Sequence, residues 1–63
     1  MFIVVSYDIP GDRTRAKVSK TLCGFGRRQQ YSVFECEVSE ARYRELKKRI
    51  WALIDPDEDS VIF

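Results

Sequence analysis

The segment Phe2-Ile-Val-Val-Ser-Tyr-Asp-Ile9 constrains the fold more than any other part of this chain. It is dense in β-branched and aromatic residues, which favour the pleated backbone of a strand. Its apolar run is too continuous for a strand with one wet face, so a central strand covered on both sides is expected. Pro10-Gly11 breaks it. A strand of that kind needs neighbours, and the remainder of a 63-residue chain must supply them.

This length allows one domain, spanning residues 1–63. Such short chains bury only about 60% of their unfolded surface and are marginal alone. They usually rely on disulfides, a metal or a partner subunit. Cys23 and Cys36 are too few for a disulfide framework. With no CxxC pair and no histidine, they also speak against a zinc site. Both cysteines are expected to be free, buried thiols, which suits a reducing cytoplasm. Oligomerisation remains as the support. The apolar stretch Phe2–Val5 is too short for a signal core or a membrane span. A soluble, cytoplasmic protein with no membrane partner is therefore expected.

The remaining chain alternates helical and strand patterns. Val18, Leu22 and Phe25 recur at i, i+4 and i+7, predicting a helix over Arg13–Phe25 with one apolar stripe. Asp12 is a good N-cap candidate for it, and Gly24 and Gly26 suit its end. Phe34, Cys36 and Val38 alternate with Glu35 and Glu37, the period-two pattern of a half-exposed strand. The preceding Arg27–Ser32 reads as a shorter strand or a bent continuation, with no Gly or Asn-Gly to mark the turn. Ser39 caps a second helix that buries Tyr43, Leu46, Ile50 and Leu53. Glu40–Arg44 and Glu45–Arg49 are i, i+4 pairs in the favourable order. Pro56 ends that helix, Asp57-Glu-Asp59 makes an acidic turn, and Ser60–Phe63 begins another strand.

The order β-α-β-β-α-β predicts an α+β sandwich, with two helices on one face of an antiparallel sheet. A ferredoxin-like βαββαβ arrangement is the simplest topology that fits, and it puts the first strand in the centre. The chain stops at Phe63 in the middle of an apolar run, so the natural protein is expected to continue and this domain to lack a C-terminal strand.

Three groups of residues are candidates for chemistry. Asp8 shares a pleat face with Phe2, Val4 and Ser6 and ends that row at the rim of the sheet. One alternative is a turn residue before Pro10-Gly11, a position that favours Asp. One carboxylate is a poor metal site, but a two-fold dimer would bring two Asp8 side chains together. Close carboxylates repel, which favours a divalent cation or a shared proton between them. The second group is basic: Arg13, Arg15, Lys17, Arg27 and Arg28 could bracket a phosphate backbone, or could be an ordinary solvated surface. Net charge is only +1, but residues 1–32 carry six basic residues against two acids, and residues 33–63 carry five against eight. That asymmetry points weakly to an anionic partner. Tyr7, Tyr31 and Phe34 could stack on bases, although such aromatics are more often core. Trp51 lies at the core edge or an interface.

The apolar first strand ending in Tyr7-Asp8, the basic first helix, the run Arg28-x-Gln30-x-Ser32-Val33-Phe34-Glu35 and the Asp55-Pro-x-x-Asp59-Ser60 segment occur in an ordered set. In this the chain closely resembles the small CRISPR-associated protein family that partners the CRISPR integrase during spacer acquisition. The resemblance implies a ferredoxin-like homodimer in which Asp8 faces its dimer mate and is associated with a divalent metal, usually magnesium. It implies metal-dependent endonuclease activity on single-stranded RNA or double-stranded DNA. It also implies a scaffold role, holding DNA between pairs of integrase subunits. By position, Arg13, Arg15, Lys17 and Arg28 would contact phosphates, and Ser32 and Phe34 would lie near the site. Family members usually continue beyond this length, with a further strand that packs on the partner's sheet and helps dock the integrase.

Overall fold

A computed structural model describes all residues, 1–63, of the chain. The elements run β1 (Phe2–Asp8), α1 (Asp12–Cys23), β2 (Arg27–Gln30), β3 (Val33–Glu37), α2 (Glu40–Leu53) and β4 (Ser60–Ile62). The four strands form one sheet in the order β2-β3-β1-β4, with every pairing antiparallel. This is the ferredoxin-like topology expected from the sequence, with β1 in the interior of the sheet.

Period-two alternation divides β1 between two environments. Val5 and Tyr7 point to the helix side and are buried, together with Phe34 and Cys36 of β3. Val18 and Leu22 of α1, and Leu46 and Ile50 of α2, close over them. Fully burying such a side chain contributes about 1.5–3 kcal/mol, so this one layer supplies most of the driving force of so small a domain. Tyr43 and Leu53, expected in the α2 stripe, are only partly buried at its ends.

The other face of β1 does not match the expectation of a strand covered on both sides. Phe2, Val4 and Asp8 are exposed and Ser6 is partly so, because both helices lie on the opposite face. Phe2 is 60% and Val4 46% exposed, and Ile62, which pairs with Ser6 from β4, is 64% exposed. The continuous apolarity of β1 thus serves the core on one side and an uncovered apolar face on the other.

Helix boundaries follow local chemistry. Ser39 is the N-cap of α2, its hydroxyl accepting from the Arg42 N–H at 3.2 Å. The pairs Glu40–Arg44 and Glu45–Arg49 form at 3.2 and 3.0 Å. Arg42 also donates to Glu45, and this bond is the main reason that the Glu45 carboxyl lies below its ordinary pKa. Asp12 is not the N-cap of α1. Gly11 holds that position with extended backbone, and Asp12 is the first helical residue, where it pairs with Arg15 instead of capping. The acidic segment is turn chemistry: Asp55 and Asp59 side chains accept from the Asp57 and Asp55 N–H groups, both at 2.9 Å.

The two thiols differ. Cys36 is buried, and desolvation raises its pKa, whereas Cys23, at the end of α1, is exposed rather than buried. Cys36 also limits its neighbour across the sheet. Gly26 enters β2 so close to β3 that a Cβ there would sit 2.6 Å from Cys36 Sγ and 2.8 Å from its Cα. Gly26→Ala is therefore expected to cost about 1–3 kcal/mol by overpacking. Thermal unfolding should show it as a fall of roughly 4–8 °C per kcal/mol. An unchanged midpoint would refute the tight contact.

Candidate functional site

The end of β1 carries two different surfaces. Tyr7 points to the helix side, stacked on Phe34 with ring centroids 6.4 Å apart. Its backbone N–H donates to the Ser32 carbonyl at 3.1 Å, fixing the β2–β3 turn against β1. Asp8, the next residue, points to the open face and pairs with Ser60 of β4 through the sheet register. Its carboxylate takes part in no hydrogen bond or ion pair within the chain. The turn reading of Asp8 would place a side-chain bond to the following backbone, and none forms.

The basic residues divide into two kinds. Arg15 is built into the β1–α1 connection. Its Nη1 donates to the Ile9 carbonyl at 2.9 Å and to the Pro10 carbonyl at 3.4 Å, while Nη2 pairs with Asp12. Asp12 chiefly, with the Tyr31 phenol adding to it, raises the Arg15 pKa. Arg28 is a second tie. It lies 4.9 Å over the Phe34 ring and donates to the Tyr31 carbonyl and the Ser19 hydroxyl, clamping β2 to α1. Such contacts are set by tertiary neighbours and have no signature in the sequence. Arg13, Lys17 and Lys20 on α1, and Arg27 on β2, are exposed and belong to no ion pair, so they are the free cations of this half of the molecule.

Arg27 and Arg28 do not act as one basic patch. In the β2–β3 register Arg27 stands opposite Glu35 and Arg28 opposite Phe34, so the two guanidinium groups leave opposite faces of the sheet. Phe34, expected near the site, has no exposed surface and serves as the floor under Arg28. Tyr7 is likewise core. Tyr31 alone of the three candidate stacking aromatics is open to solvent, at 75%.

Between α1 and the β2–β3 turn lies a cleft of about 260 Å³, lined by Tyr7, Asp12, Arg15, Ala16, Ser19, Arg28 and Tyr31. Sequence reasoning missed it, although Asp12, Arg15, Ala16 and Ser19 recur at helical spacing along a row that flanks the buried stripe of Val18 and Leu22.

The donor set for a cation can be tested directly. No group of three or more His, Cys, Asp or Glu side chains is assembled within the chain. Asp8, exposed at the sheet rim, is a single hard oxygen donor: within one chain it is too little for a site, and only beside a second carboxylate would it suit magnesium, which commonly takes one or two carboxylates and keeps several waters. It does not fit zinc, which wants nitrogen and sulfur ligands. No helix is long and apolar enough to cross a membrane.

Comparison with known proteins agrees with this architecture. The Streptococcus pyogenes Cas2 crystal structure superposes with a TM-score of 0.94 at 37% identity, covering 100% of this chain and 82% of that one. A hypothetical protein from Thermus thermophilus gives 0.94 at 38% identity, covering 97% and 74%. Among curated relatives, a Synechocystis protein named CRISPR-associated endoribonuclease Cas2 3 is 48% identical, covering all of this chain and 70% of its own length. A Thermus thermophilus protein named CRISPR-associated endoribonuclease Cas2 is 44% identical over 94% of this chain, which spans 63% of that relative. The family model described as CRISPR associated protein Cas2 matches residues 1–63 from end to end, and this chain belongs to that family.

Proposed function

We propose that the chain is a dimeric, magnesium-dependent endoribonuclease of CRISPR defence, cutting phosphodiester bonds at a site made by Asp8 from two copies. The observation that carries this reading is the position of Asp8 at the end of an uncovered apolar row, Phe2-Val4-Ser6-Asp8. A second copy covering that row through a two-fold axis would bury Phe2 and Val4 and bring the two carboxylates to one locus. The relatives' names support cleavage of RNA.

In this arrangement the two Asp8 carboxylates would hold the cation. When bound, magnesium would supply charge for the developing phosphorane and lower the pKa of an attacking water. The chain's own contribution is placement. The antiparallel pairing with Ser60 on one side and the Arg15 clamp on the Ile9 and Pro10 carbonyls on the other fix the backbone of Asp8. Arg13 and Lys17, free of ion pairs on α1, are suited to hold the phosphate backbone. Substituting Asp8 by Asn and measuring cleavage with and without magnesium tests the proposal.

A second reading is favoured by the thin inventory of catalytic groups within one chain. The same dimer would then serve as a DNA-binding scaffold for integrase subunits, and Asp8 would be dispensable. Cleavage by the Asp8→Asn protein at the parent's rate would select this reading over the first.

A further inference from the structure

Asp8 has β4 as its only neighbour in the sheet. The pairing of β1 with β3 runs from Phe2↔Glu37 to Ser6↔Val33 and stops, whereas its pairing with β4 covers Ser6, Tyr7 and Asp8. Tyr7 turns its N–H to the Ser32 carbonyl on the β3 side. Backbone groups of successive residues point to opposite sides of a strand, so those of Ser6 and Asp8 face β4, where Ile62 and Ser60 are their register partners. Asp8 is therefore placed no better than β4 is.

The support of β4 comes from one side. It has three residues, the short end of the usual range, and lies at the edge of the sheet with β1 as its one neighbour. Ser60 and Ile62 are exposed on the open face. By alternation Val61 and Phe63 turn to the helix side, where both pack against the core. Phe63 enters a clasp on α2. Its ring meets Tyr43 edge-on, with centroids 6.1 Å apart, and Trp51 at 5.9 Å with a tilt of 55°. The Lys47 ammonium lies 5.2 Å from the centre of the Tyr43 ring and 6.0 Å from that of Phe63. Tyr43, Lys47 and Trp51 stand at i, i+4 and i+8, so one row of α2 supplies all three.

We infer that Phe63 and Trp51 are positioning residues: the clasp on α2 holds β4 in register against β1, and so holds Asp8 in place at the rim of the sheet. The inference rests on the reading of Asp8 as the functional carboxylate and adds what keeps it there. Neither ring needs to approach the carboxylate, because the effect passes through the pairing of Ser60 with Asp8. Strand ends at a sheet edge open at low free-energy cost, and aromatic pairs and cation–π contacts are of comparable worth. Losing one ring should therefore raise the open population of β4 about tenfold.

The test is amide hydrogen exchange followed by nuclear magnetic resonance, without cation or substrate, in the parent, Trp51→Ala, Phe63→Ala and Trp51→Phe proteins. Both alanine variants are expected to speed exchange of the Ser6, Asp8 and Ile62 amides about tenfold, while the Val5 amide, on the β3 side, keeps the parent's rate. Trp51→Phe keeps a ring in the clasp and should stay within about twofold of the parent. In RNA cleavage the alanine variants should lose about tenfold in kcat with KM unchanged, and Trp51→Phe should retain the parent's kcat. Asp8 exchange within about twofold of the parent in both alanine variants would overturn the inference. An equal rise at Val5 would also overturn it, marking a loosening of the whole fold, as would the parent's kcat in a variant whose β4 has opened. Because exchange is read without cation or substrate, a clasp that fails is told apart from an Asp8 that takes no part in cleavage, which Asp8→Asn reveals.

Discussion

Asp8→Asn is expected to leave the fold intact and to lower magnesium-dependent cleavage about a hundredfold or more. The fold should not notice the change. Asp8 is exposed, accepts no side-chain hydrogen bond and forms no ion pair, and exposed substitutions of that kind usually stay within about 0.5 kcal/mol. The chemistry should notice it strongly. Asparagine keeps the size of the side chain but removes the charge that attracts the cation, and in a dimer it removes that charge twice. Circular dichroism melting and a labelled RNA cleavage assay, with magnesium and with chelator, separate the two effects. Equal cleavage by mutant and parent would exclude Asp8 as the catalytic centre.

Val4→Lys should have the second large effect, on assembly rather than on folding. Val4 lies in the middle of the uncovered row and is not among the buried residues of the helix side. A two-fold interface would bring two such lysines together and strip them of water without a partner, a penalty of several kcal/mol. Each 1.4 kcal/mol is tenfold in affinity, so the dissociation constant should rise about a hundredfold or more. Sedimentation should change from twice the 7.4 kDa chain mass to a single chain mass, and cleavage should fall with it. The melting curve of the mutant monomer would still show a cooperative fold. A mutant that remains dimeric would place the interface elsewhere.

How far the sequence could be read depends on how local the governing forces were. Pro10-Gly11, Ser39 and the strict alternation of Phe34, Glu35, Cys36 and Glu37 are local signals, and the elements that they predict are present. The apolar stripes of α1 and α2 are also where spacing puts them. The turn at Tyr31-Ser32 was not legible, because it contains neither glycine nor Asn-Gly. A register shift between Arg28 and Gln30 further breaks the alternation of β2. The covering of β1 was misjudged for a different reason. Apolar residues on both faces of a strand look the same whether the second face meets a helix or waits for another subunit.

The candidate site was legible in part. Period-two alternation placed Asp8 with Phe2, Val4 and Ser6, and the structure has them on one face. The arginines were less readable, since a long side chain can reach several partners and tertiary packing decides among them. Arg15 closes onto the carbonyls of its own connection, and Arg28 onto Ser19 and the Phe34 ring. The cleft that these two ties create between α1 and β2 could not be foreseen from either segment alone.

The most direct test of the central claim, that two copies of Asp8 share one cation, is the stoichiometry of manganese binding followed by electron paramagnetic resonance. Manganese stands in for magnesium, since both are hard cations that prefer oxygen ligands. The expected result is one ion for every two chains in the parent protein and none in Asp8→Asn. One ion per chain, or binding that survives Asp8→Asn unchanged, would contradict it.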